Sequence, residues 1–103
     1  MFGSDLTNKR DVLRLIGKRT REGKRTSFRA LEEELWLSAD AACSHLKRLW
    51  RERLIRSTEG PSGYQEAARY KTSIRDLTFR ISRRGVERLE HWKSLEEESQ
   101  WLS

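Results

Sequence analysis

A lone cysteine, Cys43, leaves the chain without an internal disulfide or a thiolate cage for a metal. With only His45 and His91 beside it, no ligand cluster forms, and no metal or other cofactor is expected. No stretch of about 18 apolar residues occurs, which excludes a membrane-spanning helix. The first residues carry no apolar run of the signal-peptide kind, so a reduced, cytoplasmic setting is the expectation. Glycine-rich phosphate loops are missing, as is any nucleophile with a base at motif spacing, so the chain reads as a binding protein and not an enzyme. The single proline, Pro61, sits in the one strong turn cluster, Gly60-Pro61-Ser62-Gly63.

What the chain has is charge. Charged residues make up 37% of its 103 positions and hydrophobic ones 35%, a thin core for a single domain spanning 1–103. Disorder is excluded by apolar residues at regular helical intervals and by four Trp that need cover. Lys and Arg number 22 against 16 acids, a formal charge of +6. Residues 1–25 hold eight cations and three acids, 26–53 five of each, 54–85 seven and three, and 86–103 two and five. Two basic segments flanking a neutral one, with an acidic tail, are expected if one surface faces a polyanion.

Periodicity divides the chain at the turn cluster. A first helix is predicted from a Thr7 cap to about Arg21, with Val12, Leu15 and Ile16 as its inner stripe, Leu13 beside it, and Gly23 as its stop. Residues 24–27 fit a brief edge strand. A second helix over 28–35 buries Phe28, Leu31 and Leu35. Ser38 is placed to cap a third helix ending near Glu52, with Ala42, Leu46 and Leu49 inward and Cys43 and Trp50 on the margins. Residues 54–58 and 76–82 read as two strands of a hairpin with a long tip, the second turning Leu77, Phe79 and Ile81 to one side and Thr78, Arg80 and Ser82 to the other. Ser82 then caps a last helix over about 83–98, frayed at its acidic end.

Two helices joined by Trp36-Leu37-Ser38 cross steeply, the helix-turn-helix geometry, which spans about 28–52. Leu35-Trp36-Leu37-Ser38, Leu46-Lys47-Arg48-Leu49 and Leu54-Ile55-Arg56 resemble the "L-G-L-S … L-x-x-L … G-L-I-x" pattern of winged helix-turn-helix regulators of the MarR and PadR types. Phe79-Arg80-Ile81-Ser82-Arg83-Arg84-Gly85 is similar to their "Y-x-L-T-x-x-G". The matches anchor about 28–95 and imply an α+β winged helix, with a three-helix core, a hairpin wing over about 54–82 and a C-terminal helix. They also place glycine where this chain has Trp36 and Arg53, positions that must adopt a left-handed turn.

That resemblance implies a transcriptional regulator that binds double-stranded DNA, with the third helix in the major groove. The residues on that helix would be Ser38, Ala39, Asp40, Ala41, Ser44, His45, Lys47 and Arg48, with Arg48 suited to a guanine edge. The alanines offer only a thymine methyl contact and Asp40 only a cytosine amine, a thin face for base-specific reading; Arg51 shares the outer face with Lys47 and Arg48. On the wing, Arg56, Arg69, Lys71 and Arg75 would meet phosphate, with Tyr64 and Tyr70 between them. Val86, Leu89 and Trp92 of the last helix either cover the sheet or pair with a second copy in a homodimer. The alternative is a winged helix used for protein–protein contact inside a transcription or replication assembly, which the poor reading face and apolar, acidic tail favour.

Overall fold

The computed structural model describes residues 9–58, 64–69 and 73–102, and its fold is α+β. The elements follow as α1 (Lys9–Arg21), β1 (Thr26–Ser27), α2 (Phe28–Leu35), α3 (Ala39–Arg51), β2 (Ile55–Ser57), α4 (Tyr64–Arg69), a 3₁₀ turn (Ile74–Asp76), β3 (Thr78–Ile81) and α5 (Arg83–Leu102). The three strands form one antiparallel sheet in the order β1-β3-β2. The expected Thr7 cap lies outside the described residues.

Charge placement favours the end of α1, where Lys18, Arg19 and Arg21 meet the negative pole of the helix dipole; at its start Asp11 is outweighed by Lys9 and Arg10. Its inner stripe is Val12, Leu13 and Ile16, all fully buried, whereas Leu15 is only half covered. The helix stops at Gly23, whose φ is 77°. The Gly23 amide donates to the Thr20 carbonyl at 3.0 Å and the Lys24 amide to the Arg19 carbonyl at 2.8 Å, the paired closure of a Schellman turn.

The same closure recurs at the end of α3 without glycine. Arg53 holds φ at 64° while its amide donates to Trp50 and that of Leu54 to Leu49, at 3.0 and 2.9 Å. Trp36, which ends α2, is also left-handed, with φ 55°. Both positions where glycine was expected therefore carry the strained conformation with a side chain attached. Arg53→Gly should raise stability by about 0.5–1 kcal/mol, the relieved strain exceeding the added unfolded-state entropy. A denaturant midpoint at or below the parent's would refute this.

Residues 28–52 are two helices, not one rod. Ser27 Oγ accepts from the Ala30 amide at 3.1 Å to start α2, and Ser38 Oγ accepts from the Ala41 amide at 3.2 Å to start α3. Loss of such a cap costs about 1 kcal/mol, so Ser38→Ala should lower the melting temperature by several degrees. Thr20 ties α1 to the sheet: its hydroxyl donates to the Ile16 carbonyl at 2.7 Å and accepts from the Ile81 amide at 3.0 Å.

One core runs between helices and sheet, from Val12, Leu13 and Ile16 through Leu31, Leu46, Leu49 and Trp50 to Leu54, Ile55 and Phe79. Trp50 is central to it and not marginal, because Phe79 and Tyr64 enclose its ring edge-to-face at 5.2 and 5.9 Å between centroids. Part of the segment between the strands is also built in: α4 packs on α3, and Ile74 and Leu77 are buried under the 3₁₀ turn, where an open hairpin tip was expected. At the other end, α5 runs on through Glu96, Glu97 and Glu98 to Leu102 instead of ending near 98. Its start is fixed by Ser82, whose hydroxyl donates to the Arg53 carbonyl at 2.7 Å and accepts from the Gly85 amide at 3.1 Å.

Candidate functional site

With Ala42, Leu46, Leu49 and Trp50 turned into the core, α3 must present its opposite side outward. Positions 40, 44, 47, 48 and 51 fall on that side, at the three- and four-residue steps that keep side chains in one row. Asp40, Ser44, Lys47, Arg48 and Arg51 are all exposed there. The face is therefore cationic at its C-terminal half and acidic only at its first turn.

The other α3 residues expected at the site have different duties. Ser38 is exposed but spends its hydroxyl on the cap. Ala39 and Ala41 are half buried and pack against the core, which removes them from the outer row. His45 is half buried on the flank, lining an open cleft of about 380 Å³ with Lys9, Arg10, Arg48 and Trp92. Burial lowers the His45 pKa below its ordinary 6.5, the neighbouring Arg48 charge pushes the same way, and Asp11 opposes both. The imidazole is thus neutral at pH 7. Because the unfolded chain takes up this proton first, its contribution to stability is complete above about pH 6.5 and declines below.

Arg51 and Tyr64 form a pair that sequence reasoning did not bring together. The Arg51 guanidinium lies 5.0 Å above the Tyr64 ring, and its Nη2 donates to the phenol oxygen at 3.3 Å. Since Tyr64 also abuts Trp50, α4 orients the last cation of the α3 row. Arg51 was expected on the outer face with Lys47 and Arg48; the tyrosine had no such signal.

Among the described residues, the cations expected on a wing sit on three different elements: Arg56 on β2, Arg69 on α4 and Arg75 in the 3₁₀ turn. Arg69 is exposed at the end of α4, and Lys71 lies outside the described residues. Arg75 sits over the Phe28 ring at 5.2 Å, beside the start of α2 rather than at a hairpin tip. Arg56 points from β2 to the solvent face of the sheet, directly opposite Arg80.

Of the three residues expected at a dimer contact, Leu89 and Trp92 pack on the core of their own chain. Leu89 reaches Gly17 of α1, and Trp92 lies 5.3 Å from the Arg10 guanidinium and 5.9 Å from that of Arg88. Val86 and Leu95 stay 42% and 47% exposed. No group of three His, Cys, Asp or Glu able to hold a metal occurs among the described residues. None of their helices is long and apolar enough to cross a membrane. Comparison with protein-family profiles, curated proteins and solved structures returns no match for this chain.

Proposed function

We propose that the chain is a winged-helix domain that binds double-stranded DNA as a transcriptional regulator, with α3 entering the major groove. The observation that carries this reading is the row Ser44, Lys47, Arg48 and Arg51 on the outer face of a helix braced from behind by α2 and the core. Element order supports it too: helix, strand, helix, helix, strand, strand and helix follow in the winged-helix order, with the short α4 and the 3₁₀ turn inserted between the last two strands. The long flexible cations supply phosphate contact, and Arg48 is the group with the fork geometry for a guanine edge.

The test is a titration of a labelled duplex at two salt concentrations. The three cations of the α3 row, at a slope of about 0.9 each, imply a fall in affinity of about 40-fold between 50 and 200 mM salt. A flat response would end the proposal. His45 gives a second handle: burial and then the Arg48 charge hold its pKa down, and phosphate brought against α3 offsets the Arg48 part, so binding favours proton uptake and tightens as pH falls, by at most one decade per pH unit. His45→Gln should flatten that slope, measured by anisotropy across the range in which the protein stays folded.

Protein–protein contact within a transcription or replication assembly is the second reading, and one observation favours it. Trp36, in the turn between α2 and α3, is 82% exposed. Large exposed aromatics of this kind anchor protein partners. If Trp36→Ala leaves duplex affinity unchanged while Arg48→Ala lowers it, DNA is the ligand of α3; duplex affinity that neither substitution changes supports a protein partner.

A further inference from the structure

The strand register lines up cations that the sequence keeps far apart. Arg56 of β2 pairs directly with Arg80 of β3, and Thr26 of β1 pairs with Phe79. One step along that register sets Arg25 on the other flank of Arg80. Thr26, Ile55 and Phe79 point into the core, so the alternation of a pleated sheet sends Arg25, Arg80 and Arg56 to the opposite, solvent face. All three are exposed. At the usual strand spacing they form a row about 10 Å long across the whole sheet.

Folding gains nothing from setting Arg56 directly against Arg80. Like charges placed directly across a strand pair repel and lower stability. No acid among the described residues forms an ion pair with Arg56 or Arg80. Lys24 adds a further cation, for it lines with Arg25, Arg80, Ser57 and Thr58 an open cleft of about 460 Å³. Its hydroxyls are largely committed, Thr20 to Ile16 and Ile81 and Thr58 to Thr78, so charge and not hydroxyl donation sets the chemistry. An open, linear array of guanidinium groups fits an extended polyanion better than a small enclosed anion.

We propose that this sheet face is a second phosphate-binding surface, which takes the backbone of a nucleic-acid duplex without regard to sequence. It does not share a duplex segment with α3. The inner face of α3 meets the inner face of the sheet at the Trp50–Phe79 contact, so the two outer faces look away from each other. One chain then holds two duplex segments at once, through α3 on one side and the arginine row on the other.

Stoichiometry at low salt decides this, using a 12-bp duplex too short to wrap both faces, read by sedimentation. Three proteins are compared: the parent, the sheet variant R25Q/R56Q/R80Q and the helix variant K47Q/R48Q/R51Q. The parent should bind two duplexes, and each variant one. Relief of the Arg56–Arg80 repulsion offsets what Arg25 loses, so the sheet variant should melt within a few degrees of the parent, and a thermal melt of each protein separates loss of a duplex from unfolding. If the parent binds one duplex and the sheet variant also binds one with unchanged affinity, the second surface does not exist, while the role of α3 stands. If the helix variant keeps all binding and the sheet variant loses it, the α3 reading fails and this one holds. Absence of binding by all three overturns both.

Discussion

Gly85→Ala is expected to lower stability by about 3 kcal/mol, even though alanine is the better helix former. In an exposed helix the exchange gains about 1 kcal/mol. Here a Cβ at position 85 would lie 2.6 Å from Ile81 Cγ1, with the Leu54 carbonyl oxygen closer still. The obstacle is backbone, which cannot rotate aside, and it is tied down: the Leu54 oxygen accepts from the Ser82 amide at 3.0 Å, and the Arg53 carbonyl accepts from the Ser82 hydroxyl. Relief requires the first turn of α5 to lift from the turn after α3, breaking both. Overpacking against such a site costs at the upper end of the usual 1–3 kcal/mol. For a chain of this length that corresponds to a melting temperature lower by more than about 10 °C, read by circular dichroism. A melting temperature at or above the parent's would show that helix propensity wins and that α5 is not seated on Leu54.

K47Q/R48Q/R51Q is expected to weaken duplex binding by about 100-fold at low salt, and to reduce the slope of log affinity against log salt by about 2.7. The slope follows because three phosphates are no longer neutralised, at about 0.9 for each. The affinity follows from about 1 kcal/mol for each phosphate, with tenfold for every 1.4 kcal/mol. All three side chains are exposed, so folding stability should change by no more than about 0.5 kcal/mol. Arg51 is the exception to watch, because its stacking on Tyr64 disappears with the charge. Arg29→Gln serves as the control: it removes an exposed cation of α2 that pairs with Glu33 at 2.8 Å, and affinity should stay within about twofold. Equal weakening in the control and the triple variant would mean that net charge, and not the α3 row, governs binding.

The local turns were legible in the sequence because each is set by one or two side chains. Ser38 and Ser82 act as helix starts through a single oxygen, and Gly23 stops α1 through its φ. Strand β3 showed itself by alternation over four residues. What stayed hidden depends on partners distant along the chain. Trp50 looked marginal on its own helix because the slot that buries it is made by Tyr64 and Phe79. Helix α4 has six residues, too few to display an apolar period, and its place comes from packing on α3. Helix geometry placed Asp40, Ser44, Lys47, Arg48 and Arg51 outward once Ala42, Leu46 and Leu49 were inward, but it also set Ala39, Ala41 and His45 there, which the neighbouring elements half cover. The arginine row was not legible, since register across three strands is written in hydrogen bonds between segments rather than in any one of them.

The order β1-β3-β2 makes the middle strand the last one synthesised. Until Ile81 has left the ribosome, β1 and β2 have no neighbour to pair with, and the side of Trp50 that Phe79 covers stays open. A nascent chain cut short before residue 78 therefore holds its helices against an unfinished wall, and completion is a single late event that joins segments more than fifty residues apart at Thr26 and Phe79. Such long-range closure slows folding relative to a helical bundle of the same size.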